Sequence, residues 1–298
     1  MNEDHHIRKR RIRFVLNPVS GIGKQKKIPA LISRLIDPEL FEYELLHTKA
    51  AGHAVELARE AAEKGYDAVI AIGGDGSINE VAQGVLGSET AVGIIPAGSG
   101  NGLSHFLRIP LKTEKALKAI LRMKTTIMDT ATINNRLFVS VAGAGFDAWV
   151  AQKFARSKTR GFFSYARLAV KEYIFYQPKR YKIYVNGRTL RRRAFMLTLA
   201  NSNQFGFNAQ IAPTARLNDG LIDLCIMKKP PVYLALFLLP LLFLGKLHKT
   251  PFLEVIKAPE VKIIQRKNYV LHTDGDHHML SKELEIKVLP LSLKVVVP

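Results

Sequence analysis

The chain has 298 residues, of which 47% are hydrophobic and 23% charged, and its formal net charge is +19. This composition indicates a globular protein with room for two domains and argues against a disordered or fibrous chain. The single cysteine, Cys225, excludes an intramolecular disulfide framework, which fits a reducing compartment. Residues 1–13 are polar and basic without the apolar core of a signal peptide, so we expect a cytoplasmic protein.

The excess of positive charge needs a partner or another reason. Nucleic acid and an anionic membrane surface are both candidates, and a solvated basic surface without a specific partner is the third interpretation. Basic clusters recur along the chain, at residues 8–11, 188–193, 228–229 and 262–267.

Residues 232–244 are almost entirely apolar and contain one proline. A membrane-spanning helix needs about 20 apolar residues, so this segment is too short to cross a bilayer. It is either a buried core helix or a helix that rests on the bilayer interface, with its flanking lysines toward the headgroups.

The first elements alternate between strand and helix. Arg11–Leu16 is an apolar run typical of a strand, and Asn17–Lys24 follows as a glycine-containing turn with the potential to bind phosphate. This turn lacks the spacing of a P-loop. A helix over 28–36 and a strand over 43–46 come next. Thr48 then stands at a strand end, where a threonine can cap the following helix.

The most informative segment of the first domain is a glycine-rich loop at residues 73–76. Ala68–Ile72 is a short apolar run typical of a buried strand, and three of the next four residues are glycine, at positions 73, 74 and 76. Ser77 is expected to cap a helix from Ile78 to about residue 86, whose N–H groups and dipole would face an anion in the loop. Asp75 would repel a phosphate unless a cation lay between them, so the loop indicates a nucleotide with Mg²⁺.

A second glycine-rich loop, Pro96–Gly102, follows the apolar run Ala91–Ile95. The carboxyl ends of neighbouring parallel strands share one crevice, so both loops are expected to face the same ligand.

From about residue 125 strands predominate, with a strong hairpin signal at Asn186-Gly187 and helices over 147–157 and 161–176. We place the domain boundary near Met128, which gives domains of residues 7–127 and 128–298.

The central Gly-Gly-Asp-Gly-Ser resembles the Gly-Gly-Asp-Gly-Thr signature of the diacylglycerol kinase and sphingosine kinase family of lipid kinases, and NAD kinases carry a similar signature. Four further stretches resemble motifs of the lipid kinases in the expected order. They are Asn-Pro-x-Ser-Gly-x-Gly from Asn17, Pro-x-Gly-Ser-x-Asn from Pro96, Asn-Asp-Gly from Asn218 and Asp-Gly-Asp from Asp274. The last has aspartate where the family has glutamate, and Gly102 replaces an aspartate of many bacterial members.

The resemblance implies an α/β plus β fold. An N-terminal, doubly wound, Rossmann-like domain would be followed by a C-terminal β-sandwich, with the active site in the interdomain cleft. It also implies a kinase that transfers the γ-phosphate of ATP to the hydroxyl of a membrane lipid, such as diacylglycerol or a sphingoid base. The residues it assigns to the nucleotide are Asn17, Lys24, Thr48, Gly73, Gly74, Asp75, Gly76, Ser77, Asn79, Gly98, Ser99 and Asn101.

In the second domain the resemblance implies a structural Mg²⁺ held by the Asp219 carboxylate and the carbonyls of Arg216 and Leu221. Without the resemblance, Asn-Asp-Gly is simply a turn.

The resemblance also implies that Asp274 or Asp276 would take the proton of the acceptor hydroxyl. We favour Asp274 narrowly because it matches the family without substitution, with Asp276 as its partner. Asp147 is either an acceptor ligand or, by preference, a helix cap.

The expected partner is a lipid substrate at an anionic membrane surface, reached by a peripheral protein at the inner membrane face. A homodimer is left open. Three rivals remain: an NAD kinase, a nucleotide-binding sensor without catalysis, and a nucleic-acid-binding protein. We predict no nucleic acid, because no motif of a known DNA- or RNA-binding fold is present and the basic residues are not interleaved with aromatics.

Overall fold

The computed structural model describes residues 8–20, 27–155, 162–266, 269–280 and 282–298. Lys24, Gly21 and the junction between the two helices predicted over 147–176 lie outside these ranges. The described chain forms two compact units. The first takes the chain up to Gly98, with Leu107–Ile127 and Ser292–Pro298, and the second takes Ser99–Phe106 and Met128–Leu291.

The first unit is a parallel sheet with helices. Its strands are β1 (Arg10–Leu16), β2 (Phe41–His47), β3 (Ala68–Gly73) and β4 (Ala91–Pro96), in the order β2-β1-β3-β4. Every residue of β3 and β4 is buried, as expected for central strands of a parallel sheet. Its helices are α1 (Ile28–Leu35), α2 (His53–Glu63), α3 (Asp75–Val85) and α5 (Thr113–Ile120). The short helix α4 (Gly102–Phe106), which lies between α3 and α5 in the chain, belongs to the second unit. This arrangement confirms the predicted α/β domain.

The start of α3 differs from the prediction. The helix begins at Asp75, and its N-cap is Gly74, with an extended backbone (φ −97°, ψ −170°) and no side-chain cap. The prediction that Ser77 caps the helix is therefore wrong, because the chain turns from β3 directly into α3 and Ser77 lies in the first turn. Asp75 consequently stands at the positive end of the helix dipole, where a carboxylate is favoured.

The second unit is a β-sandwich with added helices, as predicted. Its six-stranded sheet has the order β12-β11-β10-β7-β14-β15, and β8, β9, β13, β16, β5 and β6 form the facing layer. Their bounds are β5 Thr125–Ile133, β6 Arg136–Phe138, β7 Val141–Gly145, β8 Lys179–Val185, β9 Arg188–Ala194, β10 Met196–Ala200, β11 Ile222–Met227, β12 Leu253–Ala258, β13 Glu260–Ile264, β14 Tyr269–Thr273, β15 Asp276–Leu280 and β16 Glu283–Val296.

The core of this unit lies between the two layers. One hydrophobic cluster joins Leu197 and Leu224 of the six-stranded sheet to Ile183 and Ile263 of the facing layer. The predicted hairpin is confirmed, since Val185 pairs with Arg188 across the Asn186-Gly187 turn. The added helices are α6 (Phe146–Ala155), α7 (Phe162–Phe175) and α8 (Val232–Phe243). Among the described residues, no helix has both the length and the apolar character that a bilayer crossing requires.

Candidate active site

In the first unit the predicted loops follow adjacent strands and are joined by backbone hydrogen bonds. The Asn17 N–H donates to the Ile72 carbonyl at 3.2 Å, and the Ala97 N–H donates to the Gly73 carbonyl at 2.8 Å. The Thr48 N–H donates to the Leu16 carbonyl at 2.9 Å. The ends of β2, β1, β3 and β4 therefore bring residues predicted to bind the nucleotide to one edge of the sheet.

Glycine at position 73 leaves room for Ser77, and Gly74 packs closely against the loop after β4. A Cβ atom on Gly73 would lie 2.3 Å from Ser77 Oγ, and one on Gly74 would lie 3.2 Å from the Gly98 Cα. Asn17 Nδ2 donates a hydrogen bond to Ser77 Oγ at 3.3 Å, which ties the loop after β1 to the same helical turn. The loops after β1, β3 and β4 thus close around the start of α3.

The first turn of α3 has the features of an anion site. The first bond of the helix runs from the Ile78 N–H to the Gly74 carbonyl at 3.1 Å, so the N–H groups of Gly76 and Ser77 have no partner within the helix. Backbone N–H groups at a helix start, beside glycines that permit close approach, suit a phosphate. The Asp75 carboxylate in the same turn is the type of group that Mg²⁺ prefers.

The next two residues of α3 have packing roles. The Asn79 side chain is buried, and Gln83 Nε2 donates to its Oδ1 at 2.5 Å. Glu80 accepts hydrogen bonds from the N–H groups of Gly52 (3.0 Å) and Ala54 (3.2 Å), so it fastens the start of α2 to α3. Glu80 was not predicted. A helix cap at Thr48, one of the two roles expected for that residue, is wrong, because the N-cap of α2 is Gly52.

The remaining predicted nucleotide residues, Ser99 and Asn101, lie in the second unit. Asn101 is buried with a left-handed backbone (φ 50°) and precedes α4. A Cβ atom on Gly102 would lie 3.2 Å from the Gln204 carbonyl oxygen and 3.3 Å from the Gly206 nitrogen. The aspartate of the related bacterial motif therefore has no space at position 102 unless this backbone shifts.

The Asp274 carboxylate is buried and bound by backbone. Its Oδ2 accepts the Val139 N–H at 2.7 Å, and its Oδ1 accepts the N–H groups of Ser140 (2.9 Å) and Val141 (3.0 Å). The Asp274 N–H donates to the Val141 carbonyl at 2.8 Å, and the residue has a left-handed backbone (φ 48°). These bonds hold the turn after β14 against the chain between β6 and β7.

Asp276 has a different environment. It follows the Asp274-Gly275 turn as the first residue of β15, paired with Thr273, and it is exposed. The two carboxylates that the sequence could not separate are therefore distinct, since one fixes backbone and the other is open to solvent.

The carboxylate of Asp219, the predicted metal ligand, already has partners. Its Oδ1 accepts the Leu221 N–H at 3.2 Å, and its Oδ2 lies 3.2 Å from Lys257 Nζ. The same ammonium lies 3.1 Å from Asp223 Oδ1 and donates to the Thr214 carbonyl at 3.1 Å. A divalent ion on Asp219 would stand next to this ammonium. The donor set of Arg216, Asp219 and Leu221 therefore does not fit the structural Mg²⁺ that the resemblance implied.

Burial and ion pairing have opposite effects on the pKa values of this cluster. Burial raises the pKa of Asp223, and the hydrogen bond and attraction from Lys257 act against that rise. Burial lowers the pKa of Lys257, but its bonds to Asp223 and Asp219 outweigh the effect and raise it. The ammonium form of Lys257 is thus favoured. Within the described part of the chain, no group of three or more His, Cys, Asp or Glu side chains is arranged to hold a metal.

Asp147 lies in the first turn of α6 and pairs with a residue that the sequence analysis did not assign. Its Oδ2 lies 3.1 Å from His272 Nε2, and its Oδ1 accepts the Ala148 N–H at 2.8 Å. Both side chains are buried. A Cβ atom on Gly143 would lie 2.0 Å from Asp147 Oδ2, so glycine leaves room for the pair.

Asp129 is a buried carboxylate that the sequence analysis missed. Its Oδ2 accepts the Gly220 N–H and its Oδ1 accepts the Leu291 N–H, both at 2.7 Å. It fixes the turn that carries Asp219. A single carboxylate within an otherwise apolar and threonine-rich strand was the available signal.

The parallel sheet with its candidate anion-binding loops, together with the β-sandwich, fits the class of nucleotide-dependent phosphotransferases that the resemblance implied. Residues 11–133 match the family model described as the diacylglycerol kinase catalytic domain. Residues 140–297 match the YegS C-terminal NAD kinase beta sandwich-like domain. The chain therefore belongs to the diacylglycerol kinase/YegS family of lipid kinases, which confirms the resemblance. It is a phosphotransferase with an alcohol acceptor, and membership in a kinase family implies that it uses ATP.

Relatives cover most of the chain. A diacylglycerol kinase of Bacillus subtilis is 28% identical over 273 residues, which are 90% of each chain. A Chromohalobacter salexigens protein named "Probable lipid kinase YegS-like" is 31% identical over 239 residues, 77% of this chain and 76% of the relative. A crystal structure of a diacylglycerol kinase from Bacillus anthracis matches with a TM-score of 0.73 at 20% identity, covering 97% of both chains. This last likeness supports the fold alone.

Proposed function

We propose that the protein transfers the γ-phosphate of ATP to the hydroxyl of a membrane-embedded lipid alcohol, with diacylglycerol the first candidate and a sphingoid base the second. The observation that carries the proposal is the closure of three loops around the start of α3, where Gly73 leaves room for Ser77. The names of the relatives support diacylglycerol. The sphingoid base is retained because the resemblance of the central glycine loop extends to the sphingosine kinases.

The first unit would bind the nucleotide. The N–H groups of Gly76 and Ser77, the Ser77 hydroxyl and the Asn17 amide would hold phosphate oxygens, and Asp75 would hold Mg²⁺. When bound, Mg²⁺ neutralises phosphate charge. The protein itself orients the phosphates and supplies fixed dipoles, which is the main protein contribution in phosphoryl transfer.

The second unit would supply the proton acceptor. We assign this role to Asp276, because its carboxylate is exposed, whereas the oxygens of Asp274 already accept three backbone N–H groups. As the acceptor oxygen bonds to the γ-phosphorus and the bond to ADP breaks, the hydroxyl proton would pass to Asp276. Asp274 would then be a positioning residue, in contrast to our preference from the sequence.

No structural Mg²⁺ is assigned to the Asp219 turn. The Lys257 ammonium would supply the positive charge there, joining the turn to β11 through Asp223. The only metal in the proposal is the one that accompanies the nucleotide.

Transfer of label from [γ-³²P]ATP to a panel of lipid alcohols in mixed micelles, with NAD in the same panel, tests the proposal. We expect labelled lipid, with diacylglycerol the best acceptor. Label in NADP would favour the NAD kinase alternative. Nucleotide binding without transfer to any acceptor would favour a silent sensor.

A further inference from the structure

We propose that the outer faces of α8 and α7 together form a surface that docks on an anionic bilayer. The inference rests on the proposed function, because a kinase for a membrane lipid must reach its acceptor at the interface. We define the docking face as Tyr233, Leu236, Phe237 and Leu239 of α8, extended by Val170, Ile174 and Phe175 of α7.

The sequence of α8 is unusual for a surface helix. All twelve residues are apolar, whereas a helix at the surface of a globular protein normally has a polar outer side. A helix that is apolar all round belongs in a protein core or in lipid. None of the α8 residues is buried by the rest of the described chain, which argues against the core.

The helix has an inner and an outer side. Leu238, Leu241 and Leu242 pack against the hydrophobic cluster beneath. On the other side, Tyr233, Leu236 and Phe237 are 68%, 73% and 75% exposed. Their spacing of three and four residues places them on one face of the helix.

The end of α7 lies next to the start of α8. The Tyr173 hydroxyl donates to the Pro230 carbonyl at 2.5 Å, and Lys229 Nζ donates to the carbonyls of Ile174 (3.2 Å) and Tyr176 (2.8 Å). Val170, Ile174 and Phe175 are exposed on this part of α7. Single exposed apolar residues are ordinary, but two neighbouring helices that both expose them mark an interaction surface.

The charges around the docking face favour anionic lipid over a second copy of the chain. Residues 228–249 include Lys228, Lys229, Lys246 and Lys249 and no aspartate or glutamate. In α7 the one carboxylate, Glu172, is paired with Lys153 at 2.7 Å. Two copies packed face to face would bring these basic rims together, whereas lipid phosphates would neutralise them.

The length of α8 sets the mode of contact. Twelve residues span about 18 Å as a helix, against about 30 Å for the hydrocarbon core of a bilayer. The helix would therefore lie in the plane of the interface, with its apolar side chains among the acyl chains and lysines at the headgroups.

Cosedimentation with phosphatidylcholine vesicles, with and without phosphatidylglycerol, tests the docking face. Leu236→Glu with Phe237→Glu should lower partitioning onto the anionic vesicles by about tenfold or more, because two large apolar side chains leave the bilayer. Leu111→Glu is the matched control, since Leu111 is an exposed leucine of the first unit. Lys246→Gln with Lys249→Gln should weaken binding in low salt and less so in high salt, compared with Lys112→Gln and Lys115→Gln.

Turnover on a short-chain diacylglycerol dissolved below its micelle concentration separates this inference from the proposed function. The α8 variants should keep the parent's turnover on this acceptor and its melting temperature. Vesicle binding does not depend on catalysis, so a failure to phosphorylate lipid would overturn the proposed function alone. Parent-like vesicle binding by the α8 double variant would overturn the docking face, as would a parent dimer that becomes monomeric in that variant.

Discussion

The two units use chemically different groups at their candidate sites. In the first unit, backbone N–H groups and glycines at the ends of adjacent strands form the candidate anion site, with Asp75 as the charged side chain. In the second unit, carboxylates predominate, and most of them hold backbone: Asp274 accepts three N–H groups and Asp129 accepts two. Only Asp276 among these carboxylates is exposed.

This difference shows that a carboxylate in a family motif need not take part in the reaction. A backbone site depends on local conformation, so substitutions of its side chains should affect activity more than stability. A carboxylate that closes a turn should show the opposite effect when it is replaced. Substitutions in both units test that contrast.

Asp75→Asn should lower turnover roughly a thousandfold or more, because the Mg²⁺–phosphate geometry loses its anionic anchor. The melting temperature should stay near the parent value, since Asp75 lies at a helix start and not in the core. Glu89→Gln, an exposed carboxylate of the same unit, is the control. Parent-like activity of the Asp75 variant would remove this residue from the mechanism.

Asp274→Asn should destabilise the protein by about 3 kcal/mol, because an amide has one acceptor oxygen where the carboxylate accepts three N–H groups. Denaturant unfolding gives the free energy directly. Asp276→Asn serves as the neighbouring control and should leave stability unchanged. Equal stability of the two variants would contradict the distinction between the carboxylates.

Lys257→Met should lower the free energy of unfolding by about 2 kcal/mol, because the buried Asp223 carboxylate loses its cationic partner. Lys257→Arg should retain most of the stability. In nucleotide-free buffer, a chelator should leave the parent's melting temperature unchanged. A drop in that temperature, restored by added Mg²⁺, would show that the Asp219 turn does hold a metal.

Gly102→Asp, which restores the aspartate of many bacterial relatives, should cost about 1 kcal/mol and bring no gain in activity. The new Cβ atom would press on the backbone at Gln204 and Gly206. Thermal melting and turnover are measured together, with Leu111→Asp, at an exposed position of the first unit, as the control. Higher turnover without a loss of stability would show that the position has room for a substrate contact.

The sequence predicted the features that depend on local pattern. Apolar runs such as Ala68–Ile72 identified the strands, and the glycines after them identified the loops, because strand period and turn geometry are short-range properties. The Asn186-Gly187 hairpin was predictable for the same reason. The start of α3 was misplaced because Ser77 is a good capping residue, while the tight approach of Gly74 to Gly98 depends on a neighbouring strand.

Roles that depend on distant partners could not be predicted. The contacts of Asp274 with Val139, of Asp219 with Lys257 and of Asp147 with His272 all join residues far apart in the chain. A motif shows that a carboxylate is present but not whether a backbone N–H or solvent faces it. The same holds for α8, whose composition fits a core as well as it fits an interface, until its exposure is known.

In the proposed mechanism the second unit contributes one reactive carboxylate, Asp276, to phosphoryl transfer. Rapid-quench single turnover, with ATP affinity measured in parallel, tests it on the parent, Asp276→Asn, Asp276→Glu and Asp274→Asn. We expect a loss of roughly 10²–10⁴-fold in the chemical step for Asp276→Asn, with ATP affinity retained and with substantial activity in Asp276→Glu. A parent-like rate for Asp276→Asn, with the large loss confined to a stably folded Asp274→Asn, would contradict it.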